Sequence, residues 1–135
     1  MKLVLATQNP KKLKEMNEIL SHLGVEVVSE AELGVRIEVE ETGDTFTDNA
    51  RLKATAVMQA TGLPAVADDS GLCVDALNGG PGVYSARFGG EGLDDKGRYT
   101  LLLEMLRGQT DRAAHFHTSI VCAFPNGDEL VCEGE

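Results

Sequence analysis

The sequence has no tryptophan, few other aromatic residues and few cysteines. Aromatic residues make up 4% of its 135 residues, and the cysteines are Cys73, Cys122 and Cys132. Because their number is odd and no C-x-x-C spacing occurs, they argue against a disulfide framework and against a cysteine-based zinc site. All three lie in apolar runs, so we expect buried free thiols in a reducing cytoplasm.

Positive charge is scarce as well. The chain carries 12 lysines and arginines against 22 aspartates and glutamates, a formal net charge of −10. This balance argues against general nucleic-acid binding, although a small anion remains a suitable ligand where lysines are concentrated locally. No apolar run approaches membrane-spanning length, and the N-terminus lacks the small-residue cleavage pattern of a signal peptide. We therefore expect a cytoplasmic protein without nucleic-acid or membrane partners.

Short apolar runs alternate with amphipathic segments, and no repeat or linker interrupts them. We predict strands over 2–7, 25–29 and 64–69, and the run 71–77 is a candidate fourth strand. For the last segment, from residue 113 onward, we predict a hairpin that turns at Asn126-Gly127. Strands that alternate with helices and end in a hairpin indicate an α/β fold with a mixed, twisted sheet flanked by helices. At this length we expect one domain, residues 1–135.

Capping residues mark the predicted helices. The first helix begins after Asn9, with Pro10 at its first position, and closes at Gly24. The second begins at Thr45, which has capping-box spacing to Asp48, and runs to Thr61. The third covers residues 93–108. Its predicted apolar side consists of Tyr99, Leu102, Leu103 and Leu106.

The first candidate site is the junction between the first strand and the first helix. Its sequence is ATQNPKK, with Thr7, Gln8 and Asn9 before the helix and Lys11 and Lys12 in its first turn. A helix N-terminus offers unpaired N–H groups and a partial positive charge, so nearby lysines make it suited to phosphate. The alternative is an ordinary helix cap with solvated lysines.

The second candidate site is a set of paired acids, Glu40-Glu41 and Asp68-Asp69. The second pair ends a predicted strand, which is where open α/β sheets place ligands. Mg²⁺ prefers carboxylate oxygens and takes one or two of them beside water and phosphate. Successive side chains on a strand point to opposite faces, so only one of Asp68 and Asp69 is expected to face a cleft. The alternative is a polar turn and a solvated acidic loop.

Two further candidates come from spacing and from glycine content. Asn49 and Lys53 lie four residues apart on one face of the predicted second helix. Either both side chains are directed into a cleft, or this face is simply the solvent-exposed side of the helix. The glycine-rich run 78–88 presents Ser85 and Arg87, a hydroxyl and a guanidinium that suit phosphate. The alternative for this run is a rigid turn in which Arg87 makes a structural ion pair.

Four of these segments together resemble the inosine triphosphate pyrophosphatase family, the Ham1/RdgB-type enzymes that act on non-canonical purine nucleotides. The matching segments are LATQNPKKLKE, VEETGDTFTDNARLKA, ADDSGLCVDALNGGPGVYSARF and RAAHFHTSIV. They occur in the family's order and spread over the whole chain. The resemblance implies an α/β fold with a central substrate cleft and a homodimeric enzyme. It also implies Mg²⁺-dependent cleavage of ITP, dITP and XTP to the nucleoside monophosphate and pyrophosphate.

The resemblance also implies roles for individual residues. Asp69 matches the proposed general base and, with Glu41, the metal-binding acids. Ser70 matches a substrate contact, and Asp68 a supporting residue. Thr7, Asn9 and Lys12 match the phosphate-binding motif, and Lys53 a further contact. Together with the candidates taken from the residues themselves, those expected to bind phosphate or substrate are Thr7, Gln8, Asn9, Lys11, Lys12, Lys53, Ser70 and Arg87.

The resemblance implies a longer chain. Family members carry GFGYDP and SHR motifs that contribute the base-stacking surface and the groups that read the purine, and neither occurs in these 135 residues. We therefore expect a chain truncated relative to the family, with the triphosphate half of the site and without the base half. Two alternatives are a non-catalytic nucleotide-binding fragment and a Maf-type pyrophosphatase, the latter disfavoured by the ADDSGL and GGPGVYSAR segments.

Overall fold

The computed structural model describes residues 1–7, 9–40, 42–90 and 93–135, except for the side chains of Ala86 and Arg87. The strands are β1 (Lys2–Leu5), β2 (Glu26–Ser29), β3 (Ala65–Val74), β4 (Gly80–Pro81), β5 (Ala114–Ala123) and β6 (Glu129–Gly134). The helices are α1 (Pro10–Ser21), α2 (Phe46–Thr61) and α3 (Asp95–Met105), and short 3₁₀ segments cover Ala31–Leu33, Asp75–Leu77 and Gly82–Arg87.

The chain forms two compact units. The first contains Met1–Asp69 and Ser119–Glu133, and the second contains Ser70–Thr118 and Gly134–Glu135. In the first unit β1 pairs in parallel with both β2 and β3, and the strand order is β2-β1-β3-β5-β6. The mixed α/β fold predicted from the alternating segments is confirmed.

The core of the first unit follows from the alternation of side chains along β1. Leu3 and Leu5 belong to one buried cluster, against which Leu13, Met16 and Leu20 pack. Val4 and Ala6 belong to the other, which includes the α2 residues Ala50, Ala54 and Val57. Because neighbouring strand residues face opposite sides, the apolar run of β1 serves a helix on each face of the sheet.

Both predicted helix starts of this unit are confirmed. The Asn9 side chain accepts a hydrogen bond from the Lys11 N–H at 3.0 Å, and Thr45 Oγ1 accepts one from the Asp48 N–H at 3.0 Å. α2 ends at Gly62, whose φ of +70° is the left-handed cap that glycine adopts without strain. α1 ends at Ser21, a little before the predicted Gly24.

The hairpin of β5 and β6 also forms as predicted, with Asn126 and Gly127 in its turn. The turn is closed by a hydrogen bond from the Gly127 N–H to the Phe124 carbonyl at 3.0 Å. Gly127 has a φ of +94°, a conformation that favours glycine. The hairpin is tied to α2, because Arg51 donates from Nε and Nη2 to the Glu129 carboxylate at 2.9–3.0 Å.

Replacing Glu129 with glutamine is expected to lower the free energy of unfolding at pH 7 by about 0.5–1 kcal/mol, since this forked ion pair lies near the surface. The Arg51 guanidinium lowers the pKa of the Glu129 carboxyl. A lowered folded-state pKa contributes stability that is present above the unfolded pKa of about 4.3 and lost as pH falls through the folded value. Urea unfolding should therefore separate E129Q from the parent at pH 7 but not in strong acid. Exposed Glu15→Gln is the control, and an equal gap at both pH values would contradict the expectation.

The second unit is built on the end of β3. Its residues Cys73 and Val74 pair antiparallel with Pro81 and Gly80 of β4. Ser85 Oγ accepts a hydrogen bond from the Leu72 N–H at 2.9 Å and donates one to the Gly82 carbonyl at 2.7 Å. These two hydrogen bonds hold the glycine-rich run in a turn against β3, while the predicted ion pair of Arg87 stays untested because its side chain lies outside the described residues.

Three expectations were wrong. Residues 64–69 and 71–77 were expected to form separate strands, but β3 is continuous and followed by the 3₁₀ turn Asp75–Leu77. The cysteines are not buried, since Cys132 is exposed and the other two are half-buried. Desolvation raises the pKa of Cys73 and Cys122. Every residue of β6 is exposed, Cys132 included, while Cys73 on β3 and Cys122 on β5 lie at partly covered positions.

The apolar side of α3 was the third wrong expectation. Leu106 is buried, but Tyr99 and Leu103 are 53% and 54% exposed. The four predicted positions have the i, i+3, i+4 and i+7 spacing of one helix face, so the error lies in expecting that face to be fully covered and not in the spacing. No helix in the described ranges is long and apolar enough to cross a membrane.

Candidate active site

Asp68 lies beside two lysines at the end of the first unit's part of β3. The Lys12 ammonium contacts the Asp68 carboxylate at 2.7 Å, and the Lys53 ammonium donates to the Asp68 carbonyl oxygen at 2.5 Å. The Asp68 side chain is 17% exposed and that of Lys12 42% exposed. Lys12 thus offsets the charge of the Asp68 carboxylate, and Lys53 from another helix binds the backbone beside it.

Asp69 lies deeper, with 8% of its surface exposed. Its Oδ2 accepts a hydrogen bond from Nδ2 of Asn49 at 3.2 Å. Asn49 is completely buried in the first turn of α2, and its Oδ1 accepts from the Gly43 N–H at 2.8 Å. The two acids therefore have different partners, as expected from the alternation of side chains along a strand.

The strand–helix junction is ordered by its own side chains. Thr7 Oγ1 accepts from the Asn9 N–H at 3.2 Å, and Asn9 then caps α1. Lys11 is exposed in the first turn of the helix, while Lys12 turns to Asp68. The first turn of α1 contains no acidic side chain. The structure therefore brings the helix start and the end of β3 together through Lys12.

An open cavity of about 490 Å³ lies next to these residues in the first unit. Thr7 and Lys53 line it, together with Glu30, Arg36 and other residues of the segment after β2. Lys12, Asp68 and Asp69 are not among its lining residues, but Lys53 connects the cavity to Asp68 through its hydrogen bond. The lining is mixed in charge, which suits a polar ligand.

Glu30 was missed in the sequence, although its place directly after β2 follows the same strand-end rule that indicated Asp69. It is 6% exposed, and burial raises the pKa of its carboxyl, while a hydrogen bond from the Ile37 backbone partly offsets the effect. The segment that lines the cavity therefore contains a buried acid, Glu30, which is hydrogen-bonded to the Ile37 backbone and which the sequence pattern did not indicate.

Replacing Glu30 with glutamine is expected to raise the melting temperature at pH 7. When the pKa of a group is higher in the folded than in the unfolded protein, its favourable contribution to folding stability is present below the unfolded-state pKa. That contribution is lost as pH rises through the folded-state pKa. At neutral pH the charged carboxylate is therefore costly, whereas glutamine keeps an acceptor for the Ile37 N–H. Calorimetric melts should show the gain shrinking between pH 7 and pH 4, with exposed Glu26→Gln as control. A variant less stable than the parent at pH 7 would contradict this.

The other predicted site residues are placed separately. Ser70 belongs to the second unit, where its hydroxyl contacts Thr118 Oγ1 at 2.9 Å. Gln8, Glu41 and the side chain of Arg87 lie outside the described residues. Their predicted roles stay predictions.

The magnesium prediction rests on oxygen ligands. Within the described part of the chain, no group of three or more histidine, cysteine or acidic residues is arranged to hold a metal ion. Mg²⁺ commonly takes only one or two protein carboxylates and completes its octahedron with water and phosphate oxygens. The buried Asp69 carboxylate, near two phosphate-suited lysines, fits such a site.

Comparison with known proteins agrees with the sequence motifs. Residues 3–135 match the Ham1 family. The chain belongs to the Ham1 family. It is 53% identical over 136 residues to a dITP/XTP pyrophosphatase of Desulforamulus reducens, covering 99% of this chain and 68% of that one. It is 48% identical over 134 residues to a dITP/XTP pyrophosphatase of an Exiguobacterium species, again covering 99% and 68%.

A solved Ham1 structure confirms the fold. The HAM1 protein from Coxiella burnetii superposes with a TM-score of 0.92 at 43% identity, over 99% of this chain and 70% of that one. The chain thus spans about two thirds of the length of these Ham1 relatives. The inosine triphosphate pyrophosphatase resemblance is confirmed, and the four motifs that carried it all lie within the matched region.

Proposed function

We propose that this Ham1-family chain represents an enzyme that hydrolyses non-canonical purine nucleoside triphosphates, ITP, dITP and XTP, to the monophosphate and pyrophosphate. The observation that carries the proposal is the convergence of Lys12 and Lys53 on the strand end that bears Asp68 and Asp69. Two ammonium groups beside two acids suit a ligand that brings both phosphate and a divalent cation. The names of the relatives support the substrate class.

The helix start supplies the phosphate-binding part of the proposal. The N-terminus of α1 favours an anion, and Thr7 and Asn9 set the backbone there. Lys12 and Lys53 add cationic donors, while Gln8, Lys11, Ser70 and Arg87 are proposed as further substrate contacts. The Lys12–Asp68 pair is partly exposed, so a phosphate can share the Lys12 ammonium without uncovering a fully buried charge.

Asp69 is proposed as the general base, and Asp69 with Glu41 as the residues that would hold Mg²⁺. When bound, Mg²⁺ would supply charge stabilisation on the phosphate oxygens. Asp69 would accept or orient the proton of the attacking water, because it is the buried carboxylate at this strand end. Most of the rate enhancement would then come from positioning and electrostatic stabilisation.

The family resemblance also supports two further proposals. We propose a homodimer, which the resemblance implies, and a cytoplasmic location, which agrees with a nucleotide substrate dissolved in the cytosol. Size-exclusion chromatography with light scattering tests the first proposal, and a fluorescent fusion in cells tests the second.

The reaction itself is tested by measuring the products from ITP, dITP and XTP against ATP and dGTP, with Mg²⁺ or with EDTA. The proposal expects the nucleoside monophosphate and pyrophosphate, with a preference for the deaminated bases in a Ham1 protein that also carries the GFGYDP and SHR motifs. Release of single phosphate would contradict the proposed cleavage between the α- and β-phosphates. Binding of ITP in calorimetry without any product would instead favour a non-catalytic nucleotide-binding protein.

A further inference from the structure

Asn49 is a buried polar side chain to which the proposed mechanism gives no role. It is completely buried in the first turn of α2. A buried amide left unpaired is destabilising, so its hydrogen-bond partners define its function in the fold. Both ends of this amide are paired, one with Asp69 and the other with Gly43.

The orientation of the Asn49 amide follows from those partners. The Gly43 N–H can only donate, so the atom facing it at 2.8 Å must be the carbonyl Oδ1. The amide nitrogen is therefore the atom that faces Asp69 Oδ2, at 3.2 Å. A flipped amide would place donor against donor and acceptor against acceptor.

Gly43 brings the backbone close enough for this contact. A Cβ built on Gly43 would lie 2.6 Å from Cβ of Asp48 and 2.8 Å from Oδ1 of Asn49. Distances under 3 Å are essentially never seen for a real Cβ. The 42–44 segment can therefore approach α2 this closely only because residue 43 is glycine. The hydrogen bond between Asn49 and the Gly43 N–H depends on that close approach.

We propose that Asn49 is a positioning residue that fixes the orientation of the Asp69 carboxylate and ties it to the 42–44 segment. The inference rests on the proposed function, since it assigns Asn49 to the same site. A neutral amide N–H donated to a carboxylate is a charge-assisted hydrogen bond, and it holds the acid without a competing positive charge. α2 provides a rigid support, because the neighbouring Ala50, Ala54 and Val57 lie in the core.

The decisive variant is Asn49→Asp, which has nearly the same shape. Its carboxylate still accepts from the Gly43 N–H but presents an acceptor to Asp69 instead of a donor. We expect kcat for dITP to fall by about 10- to 100-fold with KM changed by less than about threefold, as is typical for residues that orient a metal ligand. Exposed Asn17→Asp in α1 makes the same chemical change on another helix and should keep the parent's kcat.

A binding measurement separates positioning from general loss of structure. Calorimetry with inorganic pyrophosphate is run with and without Mg²⁺. We expect the neutral variant Asn49→Ser to weaken binding about tenfold only when Mg²⁺ is present, because it adds no charge and leaves the lysines untouched. Equal weakening in both conditions, or kcat within about twofold of the parent, would overturn the inference. If Asn49→Asp does not fold, Asn49→Ser, which is neutral, is judged by the same criteria after its urea midpoint is measured.

The same experiment distinguishes the two proposals. A parent chain that releases no pyrophosphate from any substrate refutes the proposed function, but its Mg²⁺-dependent binding of pyrophosphate still reports on Asn49. A parent chain that binds pyrophosphate no better with Mg²⁺ than without it overturns the Asn49 inference, whatever its activity.

Discussion

Asp69→Asn is expected to lower kcat for dITP hydrolysis by about 10²- to 10⁴-fold, the range typical for loss of a general base. Asparagine keeps the volume of the side chain but loses the charge that would accept a proton and bind a cation. Asp69 is 8% exposed and held by Asn49, so the variant changes chemistry at a position whose geometry is already defined. Steady-state pyrophosphate release, normalised to folded protein, measures the effect.

Substitutions of two other aspartates serve as comparisons for Asp69→Asn. Asp75→Asn, at an exposed position in the second unit, should leave the rate unchanged. Asp68→Asn should act more weakly than Asp69→Asn, because the Asp68 carboxylate already has Lys12 as its partner. If Asp69→Asn kept more than about a tenth of the parent's kcat, Asp69 would not be the base. If Asp68→Asn were the more damaging of the two, the two acids would have exchanged roles.

The sequence predicted those parts of the fold that depend on local periodicity. Leu13, Met16 and Leu20 recur at helical spacing and do pack on the sheet, since a helix with one apolar stripe has only one face to bury. Caps such as Asn9 and Thr45 were found because their hydrogen bonds lie within three residues of the chain. The alternation of these elements was enough to predict the α/β class.

The contacts that organise the candidate site join distant positions, so no local pattern reveals them. Lys12 and Asp68 are 56 residues apart, and Asn49 and Asp69 are 20 apart. Without those partners, adjacent aspartates suggest a turn, which is why β3 was divided into two predicted strands. The prediction that the two acids face different partners is confirmed, because strand alternation is itself local, whereas their difference in role stays a prediction. Their partners could be identified only from the packed structure.

Lys12→Met is expected to lower kcat/KM for dITP by about 10- to 100-fold, the effect of losing a hydrogen bond to a charged group. It removes a cation that the proposal assigns to phosphate and also removes the ion-pair partner of Asp68, 2.7 Å away. The second loss should lower the free energy of unfolding by about 1 kcal/mol, because the pair is only partly buried. The two losses are separable: adding Asp68→Asn should recover stability, since no carboxylate is then left beside the methionine, but should not recover kcat/KM. Lys14→Met, at an exposed position on the same helix, is the matched control. A double variant that regained activity along with stability would show that Lys12 acts through Asp68 alone, and the phosphate-binding role would then pass to Lys53.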